Sequence, residues 1–204
     1  EGANSELESE QVRIQMVQAL NKDGKAEVES KKVLDLEYSV PFLAHTTLEP
    51  MNCTVHLTDN LCKVWVPTQN QGASLDAAKD ISGLDEDQIE IHTTLLGGGF
   101  GRRGETDFIR QALVIAKKLK KPVQLIWMRE EDIQHDFYRP SSMSRFQIGL
   151  DEKGNIESWN NQLCSPSILK RYFSPMSWFD KDPTSTEGAD KLPYKIEDFD
   201  LEYS

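Results

Sequence analysis

Gly97-Gly98-Gly99-Phe100-Gly101-Arg102-Arg103-Gly104 is the stretch whose residue types and spacing point most directly to chemistry. Glycine has no Cβ, reaches positive φ and lets a ligand come close to the main chain. Placed between a strand and a helix, the exposed N–H groups of such a run form an anion-binding concavity, reinforced by the helix dipole. The chemistry this suits is the holding of a phosphate or of another oxygen-rich, electron-rich group. A second loop, Pro67-Thr68-Gln69-Asn70-Gln71-Gly72, offers the amide of Gln69 at the same kind of junction.

The elements that must position these loops flank them. Gln88 to Thr94 is rich in β-branched residues and reads as a strand. Thr106 to Leu119 reads as a helix, with Phe108, Ile109, Ala112, Ile115, Ala116 and Leu119 as its apolar face. Pro122 ends it, and Val123 to Met128 is the next strand. Lys63 to Val66, the Gln69 loop and a short helix from Ser74 to Ile81 repeat the pattern, and Asn52–Leu57 alternates with Leu61–Val66 around Thr58-Asp59-Asn60 as a hairpin pairing Leu57 with Leu61. Two successive strand–loop–helix units put both loops at the carboxyl ends of parallel strands, the ligand-binding edge of open α/β sheets. The strands before the loops are then neighbours or near neighbours, and Gln69 falls within about 10 Å of the glycine loop, one small ligand's width.

Gly99 to Gly104 also satisfies the G-x-G-x-x-G spacing of a dinucleotide-binding turn, and Glu130, Glu131 and Asp132 follow the next strand, somewhat late for a ribose ligand. An NAD(P)-binding Rossmann domain is one reading. A plain structural turn, in a non-catalytic binding module, is another. Against the dinucleotide reading, the loop lies deep in the chain behind another strand–helix unit and hairpins, and Phe100 and the arginines occupy positions that commonly hold small residues.

Outside this centre, Ser5 to Leu20 reads as an amphipathic helix with Leu7, Ile14, Val17 and Leu20 inward. Val33 to Tyr38 is a strand, Pro41 to Pro50 an ordered loop, and Glu130 to Asp132 a polar connection. Met143–Leu150 and Ile156–Leu163 form a second hairpin through Asp151 to Asn155. Beyond Cys164, scattered prolines, aromatics and acids read as an extended arm, mobile or docked on a neighbouring chain, that closes on an alternating strand from Phe199 to Tyr203. The expected fold class is α/β (α+β): a mixed sheet with strand–loop–helix–strand units, flanking β-hairpins and an extended C-terminal arm. Residues 1–164 form the binding domain and 165–204 the arm. A first residue Glu1 and a final half-buried strand read as an internal piece of a longer protein.

Composition narrows the partners. A chain of 204 residues with net charge −11 and no basic block argues against a nucleic-acid partner. No apolar run is long enough for a membrane span, and no signal peptide is read. Cys53, Cys62 and Cys164 lack ligand spacing and read as buried free thiols. His45, His56, His92 and His135 also lack it, so no metal is expected to be held by this chain's own side chains.

Four segments in order, His45-Thr46-Thr47-Leu48-Glu49-Pro50-Met51-Asn52-Cys53, Trp65 to Asn70, Gly97 to Arg103, and Arg129-Glu130-Glu131-Asp132 with Arg139-Pro140, carry a resemblance. Together they resemble the molybdenum-binding large subunit of the xanthine oxidase/aldehyde oxidase family, nearest to isoquinoline 1-oxidoreductase beta-subunit-like proteins. The resemblance implies molybdenum on a pterin dithiolene, in bacteria the molybdenum–molybdopterin cytosine dinucleotide form, bound in the whole protein and absent from this piece alone. It implies cofactor-binding roles for Gln69, Gly97, Gly98, Gly99, Phe100, Gly101 and Arg102, the Gln69 amide donating to an oxygen or sulfur on molybdenum. The implied reaction hydroxylates a carbon of an N-heteroaromatic ring or an aldehyde with oxygen from water. Its small-molecule substrate would pass electrons to a 2Fe–2S iron–sulfur subunit or domain. The family's general-base glutamate is expected beyond Ser204, so no residue here receives the catalytic role, and the segment is expected to be inactive alone. Gly104 stands where xanthine-specific members carry glutamate, which points away from xanthine; bacterial cytoplasm and periplasm both stay open.

Overall fold

The computed structural model describes residues 8–22, 28, 30–172 and 182–204. The elements, numbered in chain order, are α1 (Ser9–Lys22), β1 (Lys32–Val40), β2 (Asn52–Leu57), β3 (Cys62–Val66), α2 (Gln71–Ser82), β4 (Ile89–Thr93), α3 (Asp107–Leu119), β5 (Val123–Ile126), α4 (Arg129–Gln134), β6 (Ser142–Leu150), β7 (Ile156–Cys164), α5 (Ile168–Tyr172), α6 (Pro183–Thr186) and β8 (Asp198–Tyr203). They form two mixed sheets in two compact units, Ala44–Arg139 and the remainder. The α/β class with mixed sheets is as expected. The division falls at Leu43/Ala44 and Arg139/Pro140 rather than after Cys164, because β8 pairs with β7 and so ties the C-terminal stretch to the second hairpin.

In the central unit the strand order is β4-β3-β2-β5. β3 and β4 are parallel neighbours, joined through α2, while β2 runs antiparallel to both β3 and β5. The crossover from β4 through α3 to β5 therefore joins parallel strands, with two others between them. Alternation sends Cys53, Val55, Cys62, Val64 and Val66 to one face, against Ala77, Ala78, Phe108, Ile109, Ala112, Leu113 and Ala116 of the two helices. Each large side chain buried there stabilises the unit by about 1.5–3 kcal/mol. Burial pushes the Cys53 thiol up to about 12, with nearby Cys62 adding to the effect, and Cys62 itself to about 11. Both thiols are free, buried and protonated at neutral pH.

Three details differ from expectation. The stripe of α3 runs through Leu113 rather than Ile115 and Leu119, which are exposed. The spacing 108, 109, 112, 113, 116 follows the helical period more closely. α2 begins at Gln71 rather than Ser74, since the Asn70 side chain caps it by accepting from Ala73 N–H (3.0 Å). In the hairpin Leu57 faces Cys62, not Leu61, because Thr58 closes the turn onto Leu61 with both its N–H and its hydroxyl.

The outer unit is a sheet in the order β1-β6-β7-β8, antiparallel except for the β7/β8 pair. Met16 and Leu20 of α1 pack on Met143 and Cys164. Here too the stripe is displaced: Met16 and Leu20 are buried, with Val12 and Val17 packed against their cluster, while Ile14 is exposed; Ser5 and Leu7 lie outside the described residues. The opposite face carries an edge-to-face aromatic row, Tyr38–Phe146 at 5.9 Å and Phe146–Trp159 at 5.5 Å between ring centroids. The described part of the expected extended arm is not extended throughout: α5 and α6 are helical, and β8 is an edge strand paired with β7. The Asp182 carboxylate links them, accepting from Ser167 Oγ (2.6 Å), Leu169 N–H (3.0 Å) and Thr184 N–H (2.8 Å). The aromatics Phe173, Trp178 and Phe179, on which an arm docked elsewhere was expected to rest, lie outside the described residues.

Candidate functional site

Parallel pairing of β3 with β4, Val66 opposite Thr93, brings the two loops that follow them to one edge of the central sheet. They are bonded to each other directly. Gln69 N–H donates to Arg103 C=O (3.0 Å), Thr68 Oγ donates to the same carbonyl (3.2 Å), and Gly101 N–H donates to Gln69 Oε1 (3.1 Å). A third loop joins them: Glu49 N–H donates to Gly97 C=O (3.1 Å), and Gly97 N–H to Glu49 Oε2 (2.8 Å).

Four glycines of the run, Gly97, Gly98, Gly99 and Gly101, each have a geometric reason. A Cβ on Gly97 would stand 2.4 Å from Glu49 Cβ, and one on Gly99 would stand 2.6 Å from Gln69 Cδ, so both side chains lie flat against main chain. Gly98 and Gly101 sit at φ +101° and +99°, which only glycine adopts without strain. Phe100, between them, takes φ +53° with its side chain exposed.

The paired arginines are structural. Arg103 is fully buried and joins three loops, donating to Gly98 C=O (2.8 Å), Glu49 C=O (2.6 Å) and Glu49 Oε2 (3.0 Å). Burial draws its guanidinium below the ordinary value, and the Glu49 and Asp132 carboxylates oppose that; it stays charged. Arg102 was expected to bind cofactor. Instead its guanidinium is enclosed, 1% exposed, bidentate to Asp107 (2.9 and 2.8 Å), 3.0 Å from Asp136, and within 6 Å of the Phe108, Trp127 and Phe137 rings. Only its main chain remains at the loop, donating to Gly99 C=O (2.9 Å). Composition could not show this, since arginine is rarely fully buried.

Sequence reasoning assigned no site role to Glu49, Arg129, His45 or Asp136, and weighed Asp132 only as a late ribose ligand in the dinucleotide reading. Arg129 donates to Thr47 C=O (2.5 Å) and Leu48 C=O (3.1 Å) and pairs with buried Asp132. Burial raises the Asp132 carboxyl, with Arg129 opposing. The expected polar connection at Glu130–Asp132 is thus the short helix α4, built to hold the third loop. The only signal for it was the Arg129-Glu130-Glu131-Asp132 segment itself.

What is left unspent defines the chemistry. The N–H groups of Gly98, Gly99 and Phe100 donate to no acceptor among the described residues. Because Gln69 Oε1 accepts from Gly101, the amide's orientation is set and its NH2 is the free end. Gln69, Phe100 and Gly101 are exposed, and Leu48 and Leu95, on the chain segments that lead to Glu49 and Gly97, are 93% and 95% exposed. Main-chain and amide donors, with exposed leucines on the adjoining segments, suit a planar or oxygen-rich group with acceptor atoms. The loop residues present fit such a cofactor.

This two-layer fold with a donor-lined glycine loop is that of a cofactor-binding domain. Residues 8–167 match the family described as the molybdopterin cofactor-binding domain, and the chain belongs to that family, which serves molybdenum hydroxylases and aldehyde oxidoreductases. It is 32% identical over 134 residues to a membrane-bound aldehyde dehydrogenase [pyrroloquinoline-quinone] of Gluconacetobacter polyoxogenes, covering 65% of this chain and 17% of that one. Isoquinoline 1-oxidoreductase subunit beta of Brevundimonas diminuta is 30% identical over 141 residues, covering 68% and 17%. Aldehyde oxidoreductase from Desulfovibrio gigas shares the fold at TM-score 0.53 and 17% identity, over 67% of this chain and 15% of its own. The chain thus spans about a sixth of these relatives' length. The antiparallel β2 inside the sheet and the placing of Asp132 in α4 remove the Rossmann reading. No helix among the described residues is long and apolar enough to cross a membrane.

Proposed function

We propose that this segment supplies one wall of the cofactor site in a molybdenum hydroxylase acting on an N-heteroaromatic ring carbon or an aldehyde carbon. The observation that carries the reading is the orientation of Gln69: its Oε1 is tied to Gly101 N–H, so its NH2 is offered outward beside the free N–H groups of Gly98, Gly99 and Phe100. When bound, the molybdenum–pterin group supplies the two-electron chemistry and takes the new oxygen from water. The chain's own part is to present fixed donors to the group's oxygen or sulfur atoms, without reorganisation, through the Gln69 NH2 and the N–H groups of Gly98, Gly99 and Phe100, while Gly97, Gly101 and Arg102 hold the loop's shape through their main chain. Molybdopterin is preferred to the quinone named for the Gluconacetobacter protein because the family match over residues 8–167 is to molybdopterin binding. In finer detail we assign the cytosine dinucleotide form, an iron–sulfur subunit or domain as electron acceptor, and a general-base carboxylate outside this segment.

The test uses the whole protein carrying this segment. Gln69→Ala should retain molybdenum by elemental analysis while kcat falls about 100- to 1000-fold, the effect of deleting one preorganised donor. An unchanged rate, or a whole protein that contains quinone and no molybdenum, would overturn the proposal.

A further inference from the structure

His45 lies beside the glycine loop, and its surroundings fix its proton. Its Nδ1 is 3.0 Å from both oxygens of Asp136, and its own N–H donates to Asp136 Oδ2 (2.5 Å). The His45 and Asp136 side chains are 7% and 2% exposed. Arg102 Nε, 3.0 Å from Asp136 Oδ1, balances that carboxylate's charge. An ionised carboxylate only accepts hydrogen bonds, so Nδ1 carries the hydrogen, and in the neutral ring Nε2 is then the nitrogen with the lone pair. Nε2 has no partner among the described residues, and it lies 3.9 Å from where a Cβ on Gly101 would stand. A side chain more than nine-tenths buried, locked by a charged pair, ends in a spare acceptor at a loop whose other spare groups are all donors.

We propose that His45 is a further ligand-binding residue of this site, its Nε2 accepting a hydrogen bond from an N–H of the bound heterocycle. This rests on the reading of the glycine loop as a pterin-type cofactor site. Gln69 and the loop N–H groups answer the ligand's acceptors; His45 answers a donor. A reduced pterin ring carries several N–H donors, whereas a phosphate monoester dianion carries none. Asp136 and Arg102 act through His45, as positioning residues.

¹⁵N NMR on the whole protein carrying this segment, freed of its cofactor and labelled at histidine, glycine and phenylalanine, tests it, with 6-hydroxymethyl-7,8-dihydropterin as probe and methyl phosphate at alkaline pH as comparison. The free chain should show the Nδ1–H tautomer at His45. Pterin should shift His45 Nε2 together with the amides of Gly98 to Gly101, and phosphate should shift the amides alone. His45→Phe, which keeps a ring in place, should weaken pterin binding about tenfold, the worth of one hydrogen bond, and leave phosphate binding unchanged. Asp136→Asn should convert His45 to the Nε2–H tautomer, with a similar loss. An Nε2–H tautomer in the unaltered chain overturns the proposal, whether or not the variants fold. So do pterin shifts confined to the amides, which leave the cofactor reading standing. Loop amides unmoved by pterin defeat both.

Discussion

Gly99 and Gln69 show how far a single residue's role can be read ahead of a structure. A cluster of glycines before a helix marks a loop, and an amide at the end of the preceding strand marks its neighbour, from local sequence alone. That the glycine is small because the glutamine lies on it depends on a contact between residues thirty positions apart. The consequence is specific. Gly99→Ala would place a methyl 2.6 Å from the Gln69 amide carbon and drive that side chain off Gly101. Overpacking of this kind costs about 1–3 kcal/mol. The variant should stay folded, with a lower denaturation midpoint and altered Gln69 side-chain amide resonances; an unchanged amide would refute the contact. Glu49, His45 and Asp136 were beyond sequence reasoning for the same reason. Their partners are 48 to 91 residues away, and periodicity reports only neighbours. The resemblance carried Arg102 into the cofactor-binding set with its loop neighbours, and only the enclosing aromatic rings and carboxylates show that its side-chain charge is already spent.

Elements fared better than the residues within them. Strands, helices and the parallel placement of the two loops were legible, since β-branched runs, glycines and Pro122 punctuate the chain clearly. Which side of α3 faces inward was not fully so, because Ile115, Leu119 and Leu113 are equally apolar and only the sheet decides among them. Leu113→Ala should therefore cost about 2–5 kcal/mol, as for a buried leucine, while Leu119→Ala, at 60% exposure, should cost under 1 kcal/mol by urea denaturation. Comparable losses would contradict the packing. At the other end of the chain, Asp182 governs two short helices. Burial alone would raise its carboxyl, but the hydroxyls of Ser167 and Thr184 and the N–H groups of Leu169 and Thr184 together pull it well below the usual carboxylate range. A carboxyl lowered in the folded state contributes stability above its unfolded value, about 3.9, and loses it as pH falls toward the folded value. Asp182→Asn should accordingly cost about 1–3 kcal/mol at pH 7, and the gap from the parent should close progressively below about pH 4. A gap independent of pH would show that the charge is not what binds these helices.

Across the whole molecule, the chain leaves the outer sheet at Val40 and returns to it at Ser142, and those two residues are paired partners. The central unit is thus inserted in what would otherwise be a β1–β6 hairpin. Its own contacts are more local, with β2 and β3 joined by a tight turn and β4 one short helix further on. That connectivity bears on the order of assembly. Closing an unstructured loop of about a hundred residues to zip β1 onto β6 would cost about 4–5 kcal/mol of chain entropy, whereas a loop already folded costs far less. The central unit should form first and act as the clasp that brings β1 and β6 within reach of each other. Native-state hydrogen exchange would record the asymmetry: Leu113→Ala should lower protection in β1 and β6 as well as at home, while Met143→Ala in the outer sheet should leave α3 and β3 protected. Equal propagation in both directions would show instead that neither unit leads. On this view the insertion that carries the glycine loop is also the outer sheet's internal chaperone.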